Sequence, residues 1–237
     1  MDKFTVSEKL KSDYENYYNG GSEWRRLSAA EKVANIIKLC SPYPHHTILD
    51  IGSGEGSVLA RLSAQDFGEN LHALEISSSA VEAIKKRDIP SLVECRLFDG
   101  YDIPYSDDRF DLVILSHVVE HLEYPRRLIR ESARTGRILF IEVPLEDNLR
   151  LGSEYHPDGV GHINFYSPRT IRKLIQTCDL EILDQSVSNF SFSAYRYLFG
   201  PGAGLRYFFK QAALKAIPAL APYLWTYHCA LICRKTG

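Results

Sequence analysis

A glycine-rich segment that follows a short apolar run is the strongest chemical signal in the sequence. The run Thr47–Ile51 contains Asp50, and small residues follow it at close spacing: Gly52, Ser53, Gly54 and Gly56. Glycine lets the backbone turn sharply and lets a ligand approach without a Cβ in the way. The N–H groups of such a turn, and of the helix after it, face the carboxyl end of a sheet. The segment therefore predicts a binding site for a nucleotide-like ligand.

An acidic residue at the end of the next predicted strand narrows the choice of ligand. Glu75 lies 23 residues after Gly52 and directly precedes Ile76. A carboxylate in this position accepts hydrogen bonds from both hydroxyls of a ribose. Hydrogen bonds to a charged group are worth roughly 1.5–3 kcal/mol each. The two signals together predict a nucleoside-containing cofactor.

Imidazole and carboxylate side chains are concentrated after two later apolar runs. His117, Glu120 and His121 share one face if SHVVEHL makes a helical turn. His156 and His162 follow the next strand, and parallel strands would bring His162 close to His121. A neutral imidazole can take a proton from a hydroxyl group of a substrate, which makes these histidines candidate general bases. The alternative is that they only hydrogen-bond within their loops.

Short β-rich runs alternate with helical patterns from residue 47 onward, and this alternation predicts the fold. Strands are expected at residues 47–51, 72–76, 93–98, 110–115, 137–143, 180–187 and 226–234, and helices at 58–64, 79–87, 125–134 and 167–177. Strands that alternate with helices form βαβ units, with helices on both faces of a parallel sheet. We therefore expect a doubly wound α/β fold with a seven-stranded, mostly parallel sheet.

The chain divides into a core and two additions. Residues 47–187 form the predicted core, residues 1–46 an N-terminal helical extension, residues 188–225 a helical insertion, and residues 226–237 the final strand. The extension has a helical pattern at about residues 28–39. We expect it to act as a lid over the cofactor or acceptor through Tyr14, Tyr18, Trp24 and Arg25. The alternative is a helix that only packs on the sheet.

The motifs together resemble the class I S-adenosylmethionine-dependent methyltransferases of the small-molecule type. The resemblance covers about residues 47–187, from the glycine loop and Glu75 to FDG at 98–100, FDLVILSHVVEHL and RILFIEVP. It implies a Rossmann-like methyltransferase fold with S-adenosyl-L-methionine as cofactor. In the family, Asp99 and its neighbour Gly100 would lie at the adenine, and Ser116 and His117 beside the methionine part. The motifs indicate the cofactor far more strongly than the acceptor.

A second resemblance concerns the acceptor side of the site. Ubiquinone-type and small-RNA 2′-O-methyltransferases carry E-x-x-E-H where this sequence has His117, Glu120 and His121. The likeness implies that Glu120, His121 and His162 could hold a divalent metal ion, with His117 in place of the first glutamate. The stretch around His156 and His162 resembles the segment that closes the acceptor pocket in small-molecule methyltransferases. The expected reaction is methyl transfer to an oxygen of a small metabolite or sugar.

The insertion between the last two predicted strands is aromatic and basic. Leu205, Phe208, Phe209, Ala212 and Ala216 form an apolar helical stripe. We expect this segment to form a wall of the acceptor pocket or the face of a homodimer. An anionic membrane surface is the less favoured alternative, because four cations in the segment are few for stable anchoring.

Composition and charge limit the classes of function. The net charge of −2 argues against a general nucleic-acid binder, and no nucleic-acid partner is expected. The N-terminus lacks the pattern of a signal peptide, so a cytoplasmic location is expected. Two other functions stay open: an NAD-dependent oxidoreductase, and a non-catalytic module that binds S-adenosylmethionine. The G-x-G-x-G spacing and the SHVVEHL segment argue against the oxidoreductase.

Overall fold

A seven-stranded mixed sheet forms the centre of the protein. The computed structural model describes residues 5–17, 22–152 and 161–236. The strand order is β3-β2-β1-β4-β5-β7-β6. The strands are β1 (Thr47–Ile51), β2 (Asn70–Glu75), β3 (Leu92–Leu97), β4 (Phe110–Ser116), β5 (Gly136–Pro144), β6 (Leu180–Ser188) and β7 (His228–Lys235). β1 to β5 pair in parallel, and β7 runs antiparallel to both β5 and β6. The predicted doubly wound, mostly parallel sheet is confirmed.

Helices cover both faces of the sheet. They are α1 (Glu8–Tyr17), α2 (Ser22–Cys40), α3 (Ser57–Ser63), α4 (Ser78–Lys86), α5 (Pro125–Thr135), α6 (Pro168–Gln176), α7 (Phe192–Phe199), α8 (Gly204–Ala216) and the short α9 (Ala221–Leu224). Successive strand residues point to opposite faces, so β4 sends Leu112 and Ile114 toward α2–α4, and Val113 and Leu115 toward α5 and α6. β4 is apolar on both faces because it is central and covered on both sides.

The N-terminal extension differs from the expectation in two respects. The predicted helix begins at Ser22 rather than near residue 28, and a separate helix, α1, precedes it. α1 has the sequence EKLKSDYENY, whose polar composition gives little helical hydrophobic pattern. Val6, just before α1, is buried in the core. Tertiary contact, rather than intrinsic pattern, therefore positions this helix.

The segment after β4 makes a single 3₁₀ turn at Val119–His121. His117 lies before this turn with a φ of +58°, in the left-handed region. The predicted common helical face of His117, Glu120 and His121 is therefore wrong, because His117 lies outside the helical turn, although its Nδ1 is still 3.2 Å from Oε1 of Glu120.

The insertion between β6 and β7 contains α7, α8 and α9. The apolar stripe of α8 was expected to pack on its own domain as a pocket wall or to lie in a dimer face. The stripe does not pack on its own domain, since Leu205 is 85%, Phe208 64% and Phe209 60% exposed. Lys210 lies on the opposite side of α8 and is buried. The helix therefore packs on the domain through that side, and the stripe faces outward. Among the described residues, no helix combines the length and the apolar character needed to cross a membrane.

Candidate functional site

The glycine loop takes the conformation that its sequence predicts. Gly52, Gly54 and Gly56 have φ values of +71°, +56° and +80°. A Cβ on Gly52 would lie 2.7 Å from Cγ2 of Val118, so this position requires glycine for space as well as for its backbone angle. The Gly54 N–H points back toward β2 and donates to Oε2 of Glu75 at 2.7 Å. The loop is therefore fixed to the end of the second strand.

Glu75 is held by backbone amides at the carboxyl end of β2. Its Oε1 accepts from the N–H groups of Ile76 at 2.7 Å and Ser77 at 3.2 Å, in addition to the bond from Gly54. The side chain is 2% exposed. Burial raises the pKa of this carboxyl, while the amide hydrogen bonds oppose the rise. The arrangement fixes the direction of the carboxylate and leaves lone pairs for further donors.

A cavity lies between the glycine loop, Glu75 and the N-terminal segment. Its volume is about 60 Å³, room for a few water molecules. The lining residues come from six parts of the chain: Val6, Leu10, Tyr14, Gly52, Glu75, Ile76, Phe98, Gly100, His117, Val118, His121, Leu122 and Leu128. Predicted cofactor residues and predicted acceptor residues thus share one cavity, and α1 closes it.

Contacts of the N-terminal segment hold α1 over this cavity. The Val6 N–H donates to the backbone oxygen of Asp99 at 3.0 Å, and a Cβ on Gly100 would clash with the Val6 side chain. Tyr14 contacts the His121 ring edge-on, with ring centroids 5.7 Å apart. The predicted adenine end and the predicted acceptor end are therefore both in contact with the segment that carries α1.

Glu15 fastens the other end of α1 to α4. Its carboxylate accepts from the N–H groups of Ser78 at 2.6 Å and Ser79 at 3.0 Å, which are unpaired donors of the first turn of α4. The Ser77 and Ser78 hydroxyls also donate to it. Burial alone would raise the pKa of Glu15, but these hydrogen bonds outweigh it and lower the pKa to about 2. The charged carboxylate thus links α1 to the first turn of α4 through hydrogen bonds.

The predicted acceptor residues Glu120, His121 and His162 meet in the structure. Their ligand atoms lie within 4.8 Å of one another, and all three residues are buried. The His121 Nδ1–H donates to the Gly161 carbonyl at 3.2 Å, and the His162 Nδ1–H donates to Glu146 at 2.8 Å. A carbonyl only accepts, so the proton of His121 is on Nδ1 and its Nε2 carries a lone pair. Each Nδ1 is thus held by an acceptor, which leaves Nε2 as the basic nitrogen of both rings.

Glu120 is the unusual member of this group. It is fully buried, and neither of its oxygens accepts a hydrogen bond from a described residue, although Nδ1 of His117 lies 3.2 Å from Oε1. A buried carboxylate without partners costs several kcal/mol unless a cation or a donor satisfies it. Burial lowers the pKa of His121, so that imidazole is neutral at neutral pH. The donor set is one that a divalent cation accepts.

A second buried polar group lies around Glu142 at the end of β5. Asn35 of α2 donates to its Oε1 at 2.6 Å, and the Ser116 hydroxyl to its Oε2 at 2.8 Å. His117 and His228 stand beside it, with ring centroids 4.8 Å apart. Burial raises the pKa of Glu142 to about 7. His117 therefore belongs to this group as much as to that of Glu120, which the sequence did not indicate.

The predicted cofactor residues that do not line the cavity include Asp50, Ser53 and Asp99. Asp50 is buried behind the glycine loop, and burial raises its pKa to about 7, against the opposing charge of Lys32. Asp99 caps its own turn through the N–H groups of Tyr101 and Asp102. The Ser53 hydroxyl donates to the Asp50 carbonyl.

Of the predicted lid residues that the structure describes, only Tyr14 lines the cavity. Arg25 pairs with Glu55 at 3.0 Å, and Trp24 packs against Phe190 and Tyr197 of the insertion segment. Tyr18 and His156 lie outside the described residues.

Several residues of the site were not predicted from the sequence. Val6, Leu10 and Glu15 approach from the N-terminal segment, and His228 approaches from the last strand. Lys32 of α2 places its Nζ 3.5 Å from the Ser116 carbonyl. The helical pattern of α2 was visible, but which of its polar residues face the sheet end depends on how the helix docks.

Comparison with known proteins finds methyltransferases, the class of enzyme that the motifs resemble. Norajmaline N-methyltransferase of Rauvolfia serpentina is 29% identical over 116 residues, which are 47% of this chain and 39% of that protein. The mitochondrial ubiquinone biosynthesis O-methyltransferase of Candida albicans is 31% identical over 103 residues, 40% of this chain and 31% of its own. The matched part is less than half of either relative.

Structural comparison and a family profile extend the agreement over more of the chain. The [4+2]-cyclase SpnF superposes with a TM-score of 0.68 over 99% of this chain and 98% of its own, at 15% identity. That likeness shows the fold alone, since one fold hosts different reactions. The profile of the methyltransferase-domain family matches residues 23–185, from α2 through β6. With the glycine loop, Glu75 and the seven-stranded sheet in place, the chain belongs to the class I S-adenosylmethionine-dependent methyltransferase family.

Proposed function

We propose that this protein transfers a methyl group from S-adenosyl-L-methionine to a hydroxyl oxygen of a small molecule such as a metabolite or sugar. The observation that carries the proposal is the buried group of Glu120, His121 and His162 beside the cavity of the glycine loop. A neutral amine needs no base to attack a methyl group, whereas a hydroxyl needs its proton removed. A site with two basic imidazole nitrogens and a buried carboxylate therefore favours an oxygen acceptor.

The cofactor is assigned to the cavity between the glycine loop and Glu75. Glu75 would accept from the ribose hydroxyls, Gly52 and Gly54 would allow close backbone approach, and Gly100 and Asp99 would border the adenine. Ser116 and His117 would lie beside the methionine part, which Asp50 and Lys32 would face with charges of opposite sign. This assignment is supported by the shared lining of the cavity by Gly52, Glu75, Gly100 and His117.

His162 is the base that we assign to the reaction. When bound, S-adenosylmethionine would supply the methyl group from its sulfonium to the acceptor oxygen and would be left as the neutral thioether. The proton of the hydroxyl passes to Nε2 of His162. Glu146, 2.8 Å from Nδ1, stabilises the imidazolium that forms. His121, which lines the cavity with its ring 4.8 Å from that of His162, would orient the acceptor from beside the base.

A divalent cation is the alternative means of activation at the same residues. Glu120, His121 and His162 would hold it, and the buried oxygens of Glu120, which accept no hydrogen bond from a described residue, suit this role. Both histidines have the Nδ1 contacts to a carbonyl or carboxylate that orient metal-binding imidazoles. When bound, such a cation lowers the pKa of an acceptor hydroxyl.

α1 is assigned the role of a lid. The cavity beneath it is far too small for a nucleoside cofactor as it stands, so α1 and Val6 must move outward for the cofactor to bind. Glu15 and the Val6–Asp99 hydrogen bond are the contacts that such a movement breaks. Closure over bound ligand would then exclude water from the transferring methyl group.

The test is a turnover assay with S-adenosylmethionine against a panel of phenols, sugars and amines, read by the release of S-adenosylhomocysteine. We expect turnover on a hydroxyl acceptor and a loss of roughly 100-fold or more in kcat for His162→Asn and His121→Asn. His46→Asn, an exposed imidazole outside the cavity, is the matched control. Turnover on amines alone, or full activity in both site variants, would contradict an oxygen acceptor activated by these residues.

Chelation separates the two means of activation. If a cation is held, EDTA abolishes the activity and Mg²⁺, Mn²⁺ or Zn²⁺ restores it. If His162 acts as the base, EDTA has no effect.

A further thermal-shift comparison distinguishes the two other classes of function. S-adenosylhomocysteine should raise the melting temperature and NAD should not, because only a ligand that binds the native state stabilises it. Stabilisation by NAD instead would favour an oxidoreductase. Stabilisation by S-adenosylhomocysteine without turnover on any acceptor would favour a non-catalytic binding module.

A further inference from the structure

The insertion presents an exposed apolar face that its own domain does not cover. This face, called here the α7–α8 face, consists of Phe192 and Phe199 of α7 and Leu205, Phe208 and Phe209 of α8. All five side chains are more than two-fifths exposed, and Leu205 is 85% exposed. Single exposed apolar residues are ordinary, but a group of this size on two adjacent helices marks an interaction surface.

Ring contacts join the two helices into one surface. The Phe192 ring stacks on that of Phe208 with centroids 6.0 Å apart, and the Arg206 guanidinium lies 4.8 Å from the Phe199 ring. Aromatic and cationic groups are thus interleaved on the α7–α8 face.

The opposite side of α8 anchors the helix to the domain. Lys210 is 4% exposed, its Nζ donates to the Thr226 carbonyl at 2.7 Å, and the Tyr227 hydroxyl donates to the Lys210 carbonyl at 2.8 Å. The Lys210 ammonium also lies 4.7 Å from the Tyr227 ring. These contacts fix the rotation of α8 about its axis. The packing of the helix therefore keeps Leu205, Phe208 and Phe209 facing outward.

The charged side chains of the insertion itself all have one sign. Residues 185–237 contain six basic and no acidic side chains, whereas residues 1–184 contain 22 basic and 30 acidic ones. Arg196, Arg206 and Lys215 are exposed on the two helices. The acidic body of the protein thus carries a local cationic and aromatic surface, whose charge is complementary to an anionic partner.

A second copy of the chain does not meet this requirement. A two-fold interface places the same patch of both subunits in contact. The interface would then gather six cations, Arg196, Arg206 and Lys215 from each copy, and the insertion holds no acid to pair with them. Like charges brought together across an interface oppose association.

We propose that the α7–α8 face docks on the surface of an anionic lipid bilayer. Phe192, Leu205, Phe208 and Phe209 would enter the boundary between headgroups and acyl chains, and Arg196, Arg206 and Lys215 would lie among the anionic headgroups. An amphipathic helix with aromatic and leucine side chains on one face and cations beside them binds bilayers in this way. Three cations are too few to anchor the protein by charge alone, so the exposed aromatic and leucine side chains carry most of the binding and the cations select anionic lipid.

The test is co-sedimentation of the intact protein with vesicles of phosphatidylcholine, with and without phosphatidylglycerol, and it needs no turnover. The anionic vesicles should bind roughly 100-fold more tightly, from three cations at about fivefold each. Phe208→Ser with Phe209→Ser should abolish binding to both kinds of vesicle. Arg206→Ser with Lys215→Ser should remove most of the preference for anionic vesicles.

The matched control is Val93→Ser with Leu97→Ser, which are also exposed and lie on β3 at the opposite edge of the sheet. This control should bind as the wild type does, and circular dichroism checks that every variant is folded. Absence of binding, or equal binding to neutral and anionic vesicles, would overturn the proposal. A doubled mass in sedimentation equilibrium that Phe208→Ser with Phe209→Ser reverses would overturn it in favour of a dimer face.

Discussion

Removal of the Glu15 carboxylate should loosen the lid that we propose for α1 and should leave β4 undisturbed. Glu15 accepts two backbone hydrogen bonds from Ser78 and Ser79 across the contact between α1 and α4. Hydrogen bonds to charged groups are worth about 1.5–3 kcal/mol each, but Glu15 is partly exposed, so about 1 kcal/mol each is the expected net value. Glu15→Ala should therefore shift the equilibrium between closed and open lid by about 2 kcal/mol, roughly 30-fold.

Two measurements report this shift. The dissociation rate of S-adenosylhomocysteine should rise by up to roughly 30-fold in stopped-flow experiments, since the ligand leaves only when the lid is open. Amide hydrogen exchange in α1 should accelerate by a similar factor, while exchange in β4 is unchanged.

Glu8→Ala is the matched control for this experiment. Glu8 is on the same helix, is 88% exposed and pairs only with Lys11 among the ion pairs of the described residues. Its removal should leave both rates as in the wild type. Equal rates in Glu15→Ala and Glu8→Ala would refute the reasoning, because the hydrogen bonds of Glu15 to α4 would then contribute nothing to closure.

Two further predictions concern pH and the glycine loop. The pKa of Glu15 is lowered to about 2 from the usual 4.5, so its contribution to lid closure is complete above pH 4.5 and is lost as the pH falls toward 2. The difference in α1 hydrogen exchange between wild type and Glu15→Gln should therefore be constant from pH 7 to 5 and shrink below 4.5. Gly52→Ala should lower stability by about 1–3 kcal/mol in urea denaturation, because a Cβ there meets Val118 at 2.7 Å with φ at +71°. Gly202→Ala, where a Cβ meets nothing within 4 Å, should cost much less.

The sequence was sufficient to predict the sheet but not the order of its last strands. Strands such as β4 are apolar throughout, and their burial on both faces makes them visible as continuous runs. The position of β7 between β5 and β6 depends on antiparallel pairing over long sequence separation, which no local pattern encodes. His228 reaches His117 only because of that order, so it was not among the predicted site residues.

The site was predictable where chemistry and local backbone coincide. Gly52, Glu75 and the meeting of His121 with His162 followed from motifs at strand ends. Glu15 was not predictable, because a glutamate in a polar helix looks like any surface glutamate until α1 is docked on α4. The common helical face of His117 and His121 was predicted wrongly, because a left-handed backbone at a non-glycine residue leaves no reliable mark in the sequence.

The central claim is that the cavity beside Glu75 binds the nucleoside of S-adenosylmethionine, and calorimetry with S-adenosylhomocysteine tests it most directly. The wild type should bind, and Glu75→Ala should bind about 2–4 kcal/mol more weakly, roughly 30- to 1000-fold, through loss of paired hydrogen bonds to the ribose. Glu82→Ala, an exposed glutamate on α4, is the control and should bind as the wild type does. Thermal unfolding should show Glu75→Ala to be folded before its affinity is read. An unchanged affinity in folded Glu75→Ala would contradict the account, because the cofactor would then lie elsewhere.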